Sequence, residues 1–194
     1  MNCTDKLESV REYVKNHLSQ KRYAHSMRVA RVTRELCIKY GLDGERGYFA
    51  GVAHDMCKEL EAEKQLETAG RDGLPFIELE KDKPSLLHGR SAAVILKEEF
   101  GIEDEEVLEA IRIHTSAAVG MSDFAKCLFI ADKIEPGRPH VTETYLARFI
   151  PMTLNQMLYT VLKESSDYLQ TKPNFVPFPQ SKEILEYYKQ LCEN

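Results

Sequence analysis

The chain has 194 residues, of which 43% are hydrophobic and 29% charged, and it carries a formal net charge of −5. That length is sufficient for one well-packed domain and does not demand two. The charge balance argues against nonspecific nucleic-acid binding, because such binding depends on neutralising phosphates. No apolar run approaches the roughly 20 residues of a membrane span, and the polar N-terminal stretch predicts no signal peptide. We therefore expect neither a nucleic-acid partner nor a membrane partner.

Cysteine usage indicates a reducing compartment. The cysteines are odd in number, scattered, and never arranged as a C-x-x-C pair, which favours free thiols in a cytoplasm over a disulfide framework. Their spacing also excludes a zinc site made only of thiolates. The five positions are Cys3, Cys37, Cys57, Cys127 and Cys192.

Apolar side chains recur at helical spacing through the first third of the chain. They predict an opening helix around residues 10–18 and a second helix that stops at Gly41, a residue type that commonly ends helices. Asp43 can cap a third helix, which we expect to run into His54-Asp55. A Glu-rich segment then predicts a short helix that ends near Gly70.

A loop around residues 73–75 and a turn at "EKDKPS" precede a helix predicted over residues 85–100. Asp104 and Ser122 are the predicted N-caps of the next two helices, and Pro136-Gly137 ends the second of them. Residues 142–170 are predicted to be helical with a break at Pro151. The segment "KPNFVPFPQ" is irregular, and a last helix begins near Ser181. Alternating strand patterns are hard to find, so we predict one all-α domain.

Several polar residues fall on the apolar faces of these predicted helices. His25 lies four residues before Val29, on the stripe that faces the core. His114 and Asp132 take equivalent positions on their own helices, and His88 lies beside two leucines. The full set is His25, His54, Asp55, His88, His114 and Asp132.

A metal site accounts for these residues together. A lone histidine on an apolar face is usually a core residue bonded to backbone, and a lone buried aspartate usually caps a helix or forms an ion pair. Six such residues on five helices would need five separate explanations, whereas a cation offsets the desolvation of the carboxylates and orients neutral imidazoles. His17 and His140 lack this placement, and we expect both on the surface.

The adjacent pair His54-Asp55 adds a geometric condition, because neighbours on a helix point about 100° apart. Either one metal lies between the two directions, or the carboxylate bridges two metals. Both arrangements suit iron, manganese, zinc or cobalt.

The order His25, His54-Asp55, Asp132 resembles the H…HD…D signature of HD-domain phosphohydrolases. Longer strings resemble one branch of that superfamily, the YqeK-type symmetrical bis(5′-nucleosyl)-tetraphosphatases. They are "RYAHSMRVA" (22–30), "AGVAHDMCKEL" (50–60), "LLHGRSAA" (86–93), "IRIHTS" (111–116), "GMS" (120–122) and "ADKIEPGR" (131–138). The match is strong over residues 20–140 and weaker through residues 142–194, which we expect to complete the pocket of a single HD-type helical bundle spanning 1–194.

Two departures concern loops rather than chemistry. Ser116 and Ala117 stand where the family usually has threonine and glycine, and Pro179-Gln180-Ser181 replaces a Pro-x-Thr pattern. Serine keeps the hydroxyl, so the differences bear on loop conformation and base preference.

The resemblance implies hydrolysis of dinucleoside tetraphosphates, such as diadenosine tetraphosphate, to two nucleoside diphosphates. It implies one or two divalent transition-metal ions, with iron first and manganese, cobalt or zinc as alternatives. The expected ligands are His25, His54, Asp55 and Asp132, while His88 and His114 either hold a second metal or contact phosphate. Catalytic roles are expected for Asp55, Asp132 and Lys58.

Basic residues near the ligands are expected to bind the phosphates. Arg22 and Lys58 each lie three residues from a ligand, hence on the same helix face, and Arg138 follows the Asp132 helix. Arg90 is a weaker candidate. The expected substrate-binding set is Arg22, Lys58, His88, His114, Thr115 and Arg138, and the aromatics of "NFVPFP" either cover a base or close the core.

Two other interpretations stay open at this point. Another HD phosphohydrolase, acting on a nucleoside monophosphate or a guanosine tetra- or pentaphosphate, would use the same ligands. A nucleotide-binding sensor would use the metal structurally and show no turnover. The oligomeric state is also open, with a homodimer as one alternative.

Overall fold

The computed structural model describes residues 3–193, apart from the side chain of Thr4. Every regular element of that range is a helix, which confirms the all-α prediction; residues 1, 2 and 194 of the predicted domain lie outside it. The α-helices are α1 (Cys3–His17), α2 (Gln20–Lys39), α3 (Gly44–Ala53), α4 (Ala62–Gly70), α5 (Glu78–Asp82), α6 (His88–Glu98), α7 (Glu105–Ile113), α8 (Asp123–Ile134), α9 (Glu143–Ala147), α10 (Leu154–Gln170) and α11 (Ser181–Glu193). A short 3-10 helix, Pro84–Leu87, leads into α6.

Helix α2 packs against α3 and α8, and α7 packs against α6 and α8. Two glycines permit the closest of these approaches. A Cβ at Gly51 would lie 2.4 Å from Ala30 Cα, and one at Gly89 would lie 2.6 Å from the Ile111 carbonyl oxygen. Because no side chain fits at either point, α3 can approach α2, and α6 can approach α7, to backbone contact. Both contacts lie within one turn of the predicted metal ligands.

The N-cap residues and C-terminal glycines identified in the sequence predict most helix ends correctly. The side chains of Asp43, Asp104 and Ser122 accept backbone hydrogen bonds at the first turns of α3, α7 and α8. Gly41 and Gly101 follow α2 and α6 with φ of 74° and 66°, a conformation that glycine adopts without strain. The break at Pro151 separates α9 from α10, and residues 172–180 are irregular, as predicted.

Three details differ from the prediction. Helix α3 ends at Ala53, and the chain turns at His54-Asp55. In the turn that follows, the side chain of buried Gln65 donates to the Cys57 carbonyl oxygen at 2.5 Å, so this carbonyl has a hydrogen-bond partner although no helix continues there. The "EKDKPS" segment contains the end of α5, whose Glu80 accepts from Arg90. The helix expected over 85–100 begins as a 3-10 turn and becomes α-helical at His88.

Within residues 3–193, none of the helices has both the length and the apolar composition that a membrane-spanning helix needs.

Candidate metal centre

Six polar residues converge in the middle of the bundle. His25 projects from α2, His54 and Asp55 follow the end of α3, His88 begins α6, His114 follows α7, and Asp132 lies in the last turns of α8. All six are buried. We refer to His25, His54, Asp55, His88, His114 and Asp132 as the His/Asp cluster.

The cluster divides into two groups that share Asp55. Asp55 Oδ2 lies 3.7 Å from both His25 Nε2 and His54 Nε2, and Asp132 Oδ1 lies 3.0 Å from His25 Nε2. Asp55 Oδ1 lies 3.1 Å from His88 Nε2 and 3.8 Å from His114 Nε2. The two oxygens of one carboxylate therefore face two separate sets of imidazoles. His54 keeps helical backbone angles, with φ of −53° and ψ of −38°, so the adjacent side chains of His54 and Asp55 reach the same cluster from the end of α3.

Each of the four histidines presents Nε2 to the cluster. Nδ1 of His54, His88 and His114 lies 2.8, 2.7 and 2.7 Å from a backbone carbonyl oxygen three residues earlier. A carbonyl only accepts hydrogen bonds, so Nδ1 carries the proton, and in a neutral ring the lone pair is on Nε2. His25 Nδ1 makes the equivalent contact with Glu135 Oε1 at 3.1 Å. All four rings are thus oriented as metal ligands usually are.

Two of these nitrogens lack a hydrogen-bond partner. His25 Nε2 and His54 Nε2 are buried without one, although His25 Nε2 lies close to an Asp132 oxygen. Leaving a buried polar atom unsatisfied costs about 1–3 kcal/mol. A divalent cation would satisfy both nitrogens and neutralise two buried carboxylates, so the residues present fit a metal ion.

Burial sets the protonation states of the rings. It lowers the pKa of His54 to about 4, and it also lowers the pKa values of His88 and His114. These three rings are therefore neutral near pH 7, the form that binds metal. For His25, burial acts in the same direction, but the carboxylates of Asp132 and Glu135 outweigh it and raise the pKa. A cation at the cluster consequently competes with a proton for His25.

Most of the expected phosphate-binding groups lie at the cluster. Arg22 Nη1 is 3.2 Å from Asp55 Oδ2, and Arg138 Nη2 is 2.7 Å from Asp132 Oδ1. Lys58 Nζ is 3.3 Å from His88 Nδ1, and Thr115 Oγ1 is 3.4 Å from His88 Nε2.

Arg90, the weaker phosphate candidate, is engaged elsewhere. Its guanidinium donates twice to the Asp72 carboxylate at 2.8 Å and once to Glu80 at 3.2 Å. Its side chain therefore fixes the loop before α5.

Two residues that contact the cluster, Lys133 and Glu135, were not predicted from the sequence. Glu135 accepts from Arg28 and from the Gly137 backbone while holding His25, and Lys133 Nζ lies 2.5 Å from Asp132 Oδ2. Glu135 lies three residues after Asp132 inside the string "ADKIEPGR". In the sequence, this spacing could have indicated that Glu135 lies on the same side as Asp132, immediately after the end of α8.

A cavity of about 830 Å³ opens over the cluster, and we call it the cluster cavity. Its far wall comes from the C-terminal part of the chain, where Tyr145 donates to Glu164 at 2.8 Å. His140 is exposed, as predicted, and lies at the edge of this cavity, while His17 is exposed elsewhere. The lining residues beyond the cluster are Arg22, Lys58, Thr115, Lys133, Arg138, Pro139, His140, Tyr145, Val161, Glu164, Ser165, Tyr168 and Leu169.

The fold and the site together, a helical bundle in which buried histidines and aspartates converge from five elements, are those of an HD-domain protein. The HD domain model matches residues 22–137, and the chain belongs to the HD domain family. It is 34% identical over 189 residues to a Staphylococcus aureus protein named symmetrical bis(5′-nucleosyl)-tetraphosphatase, with 94% of each chain covered. A Bacillus subtilis protein of the same name is 32% identical, with 87% of this chain and 89% of the relative covered.

A solved structure from Clostridium acetobutylicum extends the likeness to three dimensions. It is described as a predicted HD superfamily hydrolase involved in NAD metabolism. The two chains superpose with a TM-score of 0.86 at 31% identity, over 95% of this chain and 97% of the other.

Proposed function

We propose that this protein is a symmetrical bis(5′-nucleosyl)-tetraphosphatase, which cuts diadenosine tetraphosphate into two molecules of ADP. The single observation that carries the proposal is the His/Asp cluster, divided by Asp55 and rimmed by Arg22, Lys58 and Arg138. Two extensively matching relatives bear that name, and the cavity provides the metal-binding and cationic groups that such a substrate requires.

The cluster residues would hold the metal. His25, His54 and Asp55, with Asp132 beside His25, would form one ligand group, and Asp55, His88 and His114 would form the second. We favour two divalent ions, because each oxygen of Asp55 faces its own pair of imidazoles. Bound there, the metal supplies a nucleophilic hydroxide near neutral pH and neutralises phosphoryl charge.

Cationic side chains would hold the tetraphosphate. The protein is acidic overall, so the positive charge must be concentrated locally, and Arg22, Lys58 and Arg138 provide it beside the cluster. Thr115 adds a hydroxyl donor near His88. These groups would place the phosphorus next to the central bridge oxygen against the cluster, and the leaving group would be a nucleoside diphosphate.

Hydrolysis in ¹⁸O-labelled water tests the cleavage position. Mass spectrometry should find ADP as the only nucleotide product, with the label in a terminal phosphate. A mixture of ATP and AMP would mean asymmetrical cleavage, and the absence of turnover would favour a nucleotide-binding sensor.

Iron is our first candidate for the metal, as the family resemblance implies, and mixed imidazole and carboxylate ligands also suit manganese, cobalt and zinc. Metal analysis of protein purified without added metal, combined with reactivation of stripped protein by single ions, distinguishes these four. We also place the protein in the cytoplasm, since its five cysteines are free and four of them are buried. We expect a small-molecule partner only; the homodimer stays a prediction.

A further inference from the structure

A second cavity of about 480 Å³ lies beside the cluster cavity. It is open to solvent and is bordered by the loop before α5, the end of α7 and the irregular segment before α11. We call this space the second cavity, and its lining includes Leu74, Pro75, Arg112, Ile113, Phe178 and Gln180.

The two cavities meet at Thr115, which lines both. Its hydroxyl oxygen lies 3.4 Å from His88 Nε2, so one side of this residue belongs to the proposed metal centre. Ser116, the next residue, lines the second cavity alone. The two cavities therefore adjoin at Thr115, and a substrate long enough to extend past this residue could occupy both.

The lining suits a nucleoside. Leu74, Pro75 and Ile113 offer apolar surface, and Phe178 offers an aromatic ring on which a base can stack. Gln180 supplies an amide that can both donate and accept hydrogen bonds.

Arg112 adds an incompletely satisfied cation at the same place. Its Nη1 pairs with Glu109, whereas its Nε is buried without a hydrogen-bond partner. That buried Nε does not reach the cavity, but the side chain as a whole is 23% exposed and brings positive charge to the lining, which suits the phosphate of a nucleotide. The neighbouring Arg90 and Glu80 bond to each other and form a fixed wall.

We propose that the second cavity binds the second nucleoside of the dinucleotide, the half that departs as the leaving diphosphate. The proposal rests on the proposed function, because only a substrate with a nucleoside at each end has a use for both cavities. It assigns Phe178 to stacking on the distal base and Gln180 to its polar edge. Within the "NFVPFP" segment, Phe178 thus acts on substrate selection, away from the metal, whereas Phe175 lines neither cavity.

Kinetics of Phe178→Ala test this directly. The variant should raise KM for diadenosine tetraphosphate roughly tenfold, since losing an aromatic stacking partner weakens binding by about that factor or more. Adenosine 5′-tetraphosphate has the same phosphate chain and one nucleoside, and its inhibition constant should stay within twofold of the wild-type value. Gln180→Ala should raise KM for diadenosine tetraphosphate by a smaller factor and should likewise leave the inhibition constant of adenosine 5′-tetraphosphate within twofold of the wild-type value.

Phe175→Ala is the matched control. Phe175 is a half-buried phenylalanine of the same segment that lines neither cavity, so its variant should keep the wild-type KM. The proposal is overturned if KM is unchanged in Phe178→Ala, if both constants rise together, or if the control behaves like Phe178→Ala. A wild-type protein that releases no ADP removes the proposed function and this inference with it, whereas normal turnover with an unchanged variant KM removes only the inference.

Discussion

His88 Nε2 lies 3.1 Å from Asp55 Oδ1, while the other oxygen of that carboxylate faces His25 and His54. One aspartate thus links two imidazole pairs. A carboxylate placed between two ligand groups is suited to bridge two cations, and each oxygen then needs its own ligand set. The alternative is one cation at the His25 side, with His88 and His114 free to contact phosphate.

Metal stoichiometry separates these alternatives. With two ions, His88→Ala should lower the metal content from two ions per chain to one, and Asp55→Ala should remove both, because it belongs to both groups. Elemental mass spectrometry on purified protein measures this. His140→Ala is the control, since that exposed histidine lies outside the cluster. A wild-type content of one ion that His88→Ala retains would contradict the two-ion arrangement.

Lys58 should act on the substrate rather than on folding. Burial lowers its pKa, although Asp55 opposes the shift, and its amine lies beside His88 at the floor of the cavity. Lys58→Met should lower kcat/KM by roughly 10²- to 10³-fold, comparable to the loss of a group that stabilises transition-state charge. Metal content and melting temperature should hardly change.

Lys64→Met serves as the matched control, because Lys64 is an exposed lysine paired with Glu67. Its activity should equal that of the wild type. If Lys58→Met instead unfolds at a lower temperature while each folded molecule keeps its activity, Lys58 has a structural role.

The sequence predicts helix positions well where the signal is local. Asp43, Asp104 and Ser122 cap their helices through their own side chains, and Gly41 ends α2 through its own backbone. By contrast, the turn that follows α3 is held by Gln65, whose side chain reaches the Cys57 carbonyl from another helix. A contact of that kind cannot be inferred from the spacing of either segment.

The same distinction applies to the site. Each cluster residue is recognisable alone, as a polar residue on an apolar face, and all six converge. Their division into two groups around Asp55 depends on distances between helices, which no spacing rule supplies. The position of Phe178 in the second cavity, rather than over the cluster, likewise depends on how the irregular segment packs.

Glu135 should fix the orientation of His25. Its carboxylate contacts His25 Nδ1 at 3.1 Å and is itself held by Arg28 and by the Gly137 amide at 2.6 Å. Carboxylates behind metal-bound histidines typically contribute a factor of 10–100 in metal affinity. Glu135→Gln keeps the size and loses the charge, so it should weaken metal binding by about that factor in a competition titration with a chelator. Affinity equal to that of the wild type would mean that the carboxylate serves only Arg28.

The Arg46–Asp104 ion pair, which lies away from the cluster, should make the free energy of unfolding fall at acidic pH. Arg46 donates to both oxygens of Asp104 at 2.8 and 2.7 Å, and Asp104 also caps α7. Burial tends to raise the Asp104 pKa, but the bonds from Arg46 outweigh it and hold the pKa below its usual value of 3.8. A carboxyl whose folded pKa is lowered stabilises the folded state above about pH 4, and that stabilisation is lost as the pH falls through the folded value.

Asp104→Asn keeps a capping oxygen and removes the charge, so it isolates this contribution. At pH 7 the variant should lose roughly 1 kcal/mol of unfolding free energy, as expected for a charge-assisted, half-exposed pair. The difference from the wild type should begin to shrink as the pH falls below about 5 and should keep shrinking as the pH passes through the lowered folded pKa. Urea unfolding of both proteins at matched metal content measures it. Asp167→Asn, which removes the carboxylate from the exposed i,i+4 pair with Lys163, should change stability by less than about 0.5 kcal/mol at every pH. A deficit for Asp104→Asn that persists undiminished at pH 3 would mean that the helix cap, and not the charge pair, supplies the stability.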